Sequence, residues 1–116
     1  MKLQKKQNNE DNEKYKLRYL PLALEDLRSI IRYIAHELKA PQAAEKLRLK
    51  IDSEVKKIAE NPLRCHVYLT PEKLNFEYRV LHVDNYSLFY VAEKDKIEIH
   101  RVIYSKRDII NQMKGG

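Results

Sequence analysis

Apolar residues recur along this chain at two different periods, and the change of period divides it. Leu24, Leu27, Ile31, Ile34 and Leu38 follow one another at intervals of three and four. That spacing predicts one stripe on a helix of about five turns, with Pro21 in its first turn. Glu25 and Asp26 are expected near the positive end of its dipole. The run Lys39-Ala40-Pro41-Gln42 breaks the pattern, and a second stripe passes through Ala44, Leu47, Ile51, Val55 and Ile58. Asn61-Pro62 ends it, because a residue before proline avoids the helical region. Two stripes joined by a short turn predict an antiparallel helical hairpin, packed on itself or on a sheet. Ahead of it, the alternating run from Tyr15 to Leu20 predicts a short strand.

After the Pro62 region the period becomes two. Strands are predicted at about Phe76 to Val83, Tyr86 to Val91 and Ile97 to Tyr104, with a small edge strand at His66 to Leu69. The connections at Asp84-Asn85 and Glu93 to Lys96 are too short for a crossover, so these neighbours should be antiparallel. The tail after Tyr104 is expected to form one or two helical turns. The fold class is therefore α+β: an N-terminal strand, an antiparallel helical hairpin, a three- to four-stranded antiparallel sheet and a short C-terminal helix. With the helices on one face, the other face of the sheet is expected to meet solvent or a partner. Strict alternation puts Glu98, His100, Val102 and Tyr104 on one side of the last strand and Ile97, Ile99, Arg101 and Ile103 on the other. On that reading no strand is cleanly apolar on one side.

The chain has 116 residues, enough for one domain with a modest core. Residues 1–13 carry three Lys against three acidic side chains and are expected to be a polar flexible arm, leaving 14–116 as the domain. Lys and Arg number 23 against 17 Asp and Glu, a net charge of +6 that favours anionic partners. Because the arm is balanced, that excess belongs to the folded part. With two glycines in the whole chain, a glycine-rich phosphate loop is excluded. Cys65 stands alone, which excludes an internal disulfide and a paired-cysteine metal site and suits a reducing, cytoplasmic setting. No run approaches the roughly 18 apolar residues of a membrane helix, and no membrane partner is expected.

Four histidines, His36, His66, His82 and His100, offer no pair at metal-ligating spacing, so neither a metal nor a cofactor is expected. His82 and His100 are candidate general acids or bases, since imidazole titrates near neutrality. Arg79 and Arg101, one from each outer strand of the meander, are long enough to reach a concave sheet face. Lys106-Arg107 follows the last strand, where adjacent cations can clamp phosphate or pair with Asp108. Tyr86, Tyr90 and Tyr104 can stack on bases, or serve as half-buried strand residues. Lys46, Arg48, Lys50, Lys56 and Lys57 read as the solvated outer face of the second helix.

Two longer patterns carry a family resemblance. The first is Pro21-x-Ala23-x-x-Asp26-Leu27-x-x-Ile30-x-x-Tyr33-Ile34. The second runs from Tyr78-Arg79 through Asn85-Tyr86-x-x-Phe89-Tyr90 to Ile97-x-Ile99-x-Arg101-Val102-x-x-x-x-Arg107-Asp108. Together, over about residues 15–110, the chain resembles the RelE/ParE superfamily of toxins from type II toxin–antitoxin modules, often called plasmid stabilisation proteins. The resemblance implies a cytosolic growth inhibitor neutralised by a cognate antitoxin, without a cofactor.

The superfamily divides by mechanism. RelE-like members cut mRNA on the ribosome with clustered Arg, Lys, Tyr or His side chains, whereas ParE-like members inhibit DNA gyrase. The nucleases usually carry Arg directly after the tyrosine that aligns with Tyr86. This chain has Ser87 there, in the form typical of the ParE side. Arg79 aligns with a RelE lysine and Arg107 with a RelE catalytic arginine, while Leu81 replaces a second lysine. The expectation is a ParE-like gyrase inhibitor that uses Arg79, Tyr86, Arg101, Lys106 and Arg107 to bind its target. The alternatives are a ribosome-dependent mRNA endonuclease working through Arg79, His82, His100, Tyr104 and Arg107, or a member that only binds its antitoxin.

Overall fold

The structure, a computed structural model, describes residues 15–115. The arm predicted at residues 1–13 lies outside the described residues. In chain order the elements are β1 (Lys16–Tyr19), α1 (Pro21–Arg32) running directly into a π-helical turn (Tyr33–Glu37), α2 (Pro41–Glu60), β2 (Arg79–Val83), β3 (Tyr86–Glu93), β4 (Lys96–Tyr104) and α3 (Ile109–Gly115).

Pro21 opens α1, where its fixed φ suits the helix and its missing N–H costs nothing. The first turn holds no acidic residue, so Glu25 and Asp26 do not act on the dipole as expected. The buried stripe is also rotated from the predicted one. Ala23 is fully buried, and Leu27, Ile30, Ile31 and Ile34 pack on the core, while Leu24 and Leu38 are exposed at the two ends. The π-turn is part of the cause: Leu38 donates to the Tyr33 carbonyl at 3.1 Å, five residues back, and this wider turn rotates everything after it. Lys39 then leaves the helix with φ of 52°. On α2 the predicted stripe of Ala44, Leu47, Ile51, Val55 and Ile58 is buried in full. Its outer face is ion-paired, Arg48 with Glu45, Lys56 with Asp52 and Lys57 with Glu54, while Lys50 reaches Asp84 in the β2–β3 turn.

The sheet order is β1-β4-β3-β2. The β2–β3 and β3–β4 pairs are antiparallel, whereas β1 lies parallel to β4, from Lys16 opposite Lys96 to Tyr19 opposite Ile99. The parallel edge follows from the connection: the chain leaves β1, crosses one face as the helical hairpin, and returns through the meander. β2 begins at Arg79, later than predicted, because Phe76 and Glu77 stay exposed outside the ladder. The expected edge strand near His66 is a single bridge, Val67 with Arg79, flanked by Tyr68 N–H to Tyr78 O at 2.7 Å and Val80 N–H to His66 O at 3.1 Å.

A bulge in β4 corrects the predicted faces. Phe89 pairs with Arg101 but Tyr90 with Ile99, so His100 is the extra residue. Its insertion changes the phase of the strand. Ile97, Ile99 and Val102 all join Leu88 and Tyr90 in the helix-side core. Glu98, His100, Arg101 and Ile103 fall to the opposite face. The mixed pattern of β4 in the sequence is two apolar half-strands joined out of phase. That second face is not left for solvent either. Phe89, Val91 and Ile103 are buried there beneath Tyr78, Leu74 and Tyr68 of the segment after α2 and beneath Met113 and Ile109 of α3. Leaving those apolar side chains in water would cost about 1.5–3 kcal/mol each, which the covering segment avoids.

Candidate functional site

Several candidate residues meet at one end of the sheet. Register puts Val83 opposite Tyr86 and Tyr86 opposite Tyr104, so the end of β2, the start of β3 and the end of β4 lie together. The Tyr86 and Tyr104 rings pack on the helix side at 5.7 Å, tilted by 57°. Burial pushes the Tyr86 hydroxyl above its ordinary pKa, and the charges of Tyr104, of Tyr33 at the start of the π-turn and of Asp84 push it further. Tyr33 is 54% exposed and Tyr104 37%. Arg107 and Tyr104 line one small crevice together with Ser29 and Gln112.

Lys106 and Arg107 are exposed and have no ion-pair partner among the described residues. Asp108, the nearest acid in the sequence, serves α3 instead. It accepts from the Asn111 amide Nδ2 at 2.6 Å and from the Asn111 backbone N–H at 3.4 Å. On the opposite face of the same sheet end, Ser87 is fully buried. Its hydroxyl shares hydrogen bonds with His82 Nδ1 at 3.1 Å and Ser105 Oγ at 2.7 Å. Ser87 is thus the centre of a polar chain running from the exposed His82 inward.

Arg79 and His100 are not brought to this place, whereas Arg101 lines the same crevice as Tyr104 and Arg107. Arg79 stands opposite Tyr90, four residues back from Val83, a separation of about 13 Å along the strand. Its guanidinium donates to the Cys65 carbonyl at 2.7 Å. Tyr90 beside it is buried, and its hydroxyl donates to the Pro62 carbonyl at 2.7 Å. Both lie on the helix side, where burial pushes the Tyr90 phenol well up and keeps it neutral.

His100 sits on the other face in an aromatic cluster, its ring 4.9 Å from Phe76 and 5.3 Å from Tyr78. Its Nδ1 and the Tyr78 hydroxyl are 3.2 Å apart. Its Nε2 is buried with no hydrogen-bond partner, and the Glu98 carboxylate stays 3.6 Å away. Burial lowers the imidazole pKa, against the opposing pull of Glu98.

Arg101 is committed to the fold. Its Nε and Nη2 reach the two Asp26 oxygens at 2.8 and 3.1 Å, and its Nη1 donates to the Gln112 carbonyl at 2.8 Å. Asp26 Oδ2 also accepts the Val102 backbone N–H at 2.9 Å. This carboxylate caps the stretch of β4 that β1, ending opposite Ile99, leaves unpaired. Asp26 of the first motif was visible as a letter, and its role was not. The contributions of Tyr33 and Ser105 left no sequence signal, since Tyr33 lies 53 residues from Tyr86. Among the described residues no three His, Cys, Asp or Glu side chains gather as metal ligands.

This α+β arrangement has known counterparts. The sequence profile described as "ParE toxin of type II toxin-antitoxin system, parDE" matches residues 17–109, most of the chain. The chain belongs to the ParE toxin family. By structure it is similar to a chain of the chromosomal ParDE toxin–antitoxin system from P. aeruginosa, with a TM-score of 0.66 and 20% identity over 81% of this chain and 99% of that one. It is similar also to a chain of the RelBE2 toxin–antitoxin complex from Mycobacterium tuberculosis, with a TM-score of 0.53 and 18% identity over 78% of this chain and 90% of that one. No protein of curated function matches it in sequence. The predicted RelE/ParE fold and the superfamily resemblance are borne out.

Proposed function

We propose that this toxin arrests growth by binding a protein target in the cytoplasm, DNA gyrase, and not by cutting mRNA. The observation that carries the reading is the scatter of the candidate catalytic groups. Cleaving RNA requires a base, an acid and a charge stabiliser within hydrogen-bond reach of one phosphate. Here Arg79 is held about four residues up the sheet on the helix side, His100 is packed on the other face, and His82 is across the sheet from Tyr104. Of the candidate catalytic groups only Tyr104 and Arg107 share a crevice. Two groups on an exposed edge suit contact with a target better than proton transfer.

The test is paired. Purified toxin is added to gyrase with supercoiled and relaxed plasmid, and to translating ribosomes with an mRNA read by primer extension. Accumulated gyrase–DNA cleavage complexes with intact mRNA are expected. Site-specific mRNA cuts with unaffected gyrase would replace this reading with the nuclease one. No effect in either arm would leave a member that only binds its antitoxin.

A cognate antitoxin is part of the proposal. Between α1 and α2 lies a groove of about 490 Å³ with a floor of Leu27, Ile31, Ala35 and Ile51, Leu24 at its lip, and a rim on which Arg28, Arg32 and Arg48 outnumber the acid Asp52. It fits an amphipathic segment with acidic flanks. Leu24→Glu puts a like-charged acid on the exposed lip of that groove. It should weaken antitoxin binding at least tenfold in a titration while leaving the circular dichroism spectrum unchanged.

A further inference from the structure

Beyond a protein target, we infer that the tyrosine cluster at the end of the sheet is a docking surface for an unpaired DNA strand. Three independent features of the fold converge there. The first is the platform itself. Tyr104 is an exposed ring backed by Tyr86 at 5.7 Å, which holds it in one orientation. A flat ring fixed before binding can stack on a base with little loss of freedom. The second is the π-turn, which begins at Tyr33, a ring more than half exposed whose hydroxyl bears electrostatically on Tyr86. Wide turns of this kind interrupt an α-helix at a cost and are concentrated at functional positions.

The third feature is charge. Lys106 and Arg107 adjoin Tyr104 and keep their cations free, because Asp108 is bound to Asn111 and Asp26 to Arg101. The contrast with α2 is informative. There, four of the exposed cations each have a carboxylate partner. Lys46 is the exception on α2; beside the tyrosines neither cation has a carboxylate partner among the described residues. Rings for bases flanked by unneutralised cations for phosphates are the combination that single strands need. A duplex offers no unstacked base to such a platform.

For its setting this inference rests on the gyrase reading, which places the chain beside DNA. Its chemistry does not depend on it. Binding of the full chain to a fluorescein-labelled fifteen-residue oligo(dT), and to a duplex of equal length, is followed by anisotropy over a range of salt. The single strand should bind at least tenfold tighter than the duplex. Tyr104→Ala and Tyr33→Ala should each weaken it about tenfold, and Tyr104→Phe should retain it. Arg107→Ala should lower the slope of log affinity against log salt by about 0.7, the loss of one phosphate contact.

Equal binding by Tyr104→Ala and the parent, both folded by circular dichroism, would overturn the inference. So would no preference over duplex, or an oligo(U) strand preferred over oligo(dT) by tenfold. The tyrosine variants are also tested in a gyrase pull-down. If they lose gyrase without losing the oligonucleotide, the cluster is a protein interface and the inference falls. A parent chain that poisons gyrase but ignores oligo(dT) defeats the inference alone. One that binds oligo(dT) but leaves gyrase untouched defeats the gyrase reading alone.

Discussion

Asp26 shows how much a single carboxylate can carry. It sits on α1, receives two hydrogen bonds from Arg101 and one from the Val102 backbone, and through Arg101 reaches the Gln112 carbonyl of α3. Three elements therefore meet at one ion pair whose side chains are only 14% and 13% exposed. Removing one member strands the other in a poorly solvated place. Asp26→Ala should cost about 3–5 kcal/mol in urea or guanidinium unfolding, because Arg101 and the edge of β4 both lose their partner. Asp26→Asn keeps an acceptor for Val102 and should cost less. Equal stability of the parent and the alanine variant would show that the pair does not hold the edge. The sequence displayed Asp26 and Arg101 as motif letters, 75 residues apart, and nothing local could join them. It drew Arg101 as a free cation because a linear reading cannot see a partner on another element.

At the scale of elements, α2 and the β4 bulge mark opposite ends of legibility. The α2 stripe needed only the 3.6-residue period, since every buried position is apolar and the outward ones are mostly polar, Leu49 being the main exception. Its two faces should answer mutation unequally. Ile51→Ala opens a cavity under the sheet and should cost about 2–5 kcal/mol. Arg48→Ala removes an exposed pair and should stay within about 1 kcal/mol. Comparable losses would mean that the outer ion pairs hold the helix, contrary to their exposure. The end of α1 offers a gain. Lys39 occupies the left-handed region at φ 52°, which a Cβ disfavours. Lys39→Gly should raise stability by about 0.5–1 kcal/mol, read as a higher denaturation midpoint. The β4 bulge was illegible because alternation assumes an uninterrupted ladder. One extra residue, His100, inverts every face before it, and only pairing with β3 reveals where the slip lies.

For the molecule as a whole, the sheet is buried on both faces, and His100 is the titratable group trapped on the second of them. Phe76, Tyr78, Glu98 and Arg101 surround it. Its pKa is lowered in the folded state, chiefly by burial. The unfolded chain therefore binds the proton more readily. The neutral imidazole contributes stability that is present above the unfolded value of about 6.5 and is lost as pH falls toward the folded value. The melting temperature should drop between pH 7 and pH 5, and His100→Gln should flatten that part of the profile. An unchanged profile in the variant would assign the acid sensitivity to other groups.

By itself the sequence determined the elements, the α+β class and the superfamily, because periodicity and motif spacing are local and survive being read in one dimension. It also drew attention to Ser87, the position on which the proposed choice between gyrase and mRNA turns. The tertiary structure alone decided that β1 lies parallel to β4, that a loop and α3 close the second face, and that the predicted site residues separate. Arg79 is tied to a carbonyl, His100 is enclosed and Arg101 is spent on Asp26, while Tyr86 and Tyr104 pair across neighbouring strands. Pairing register and burial are properties of segments meeting across long stretches of chain. They decide which charged side chain is free to act and which is already in use.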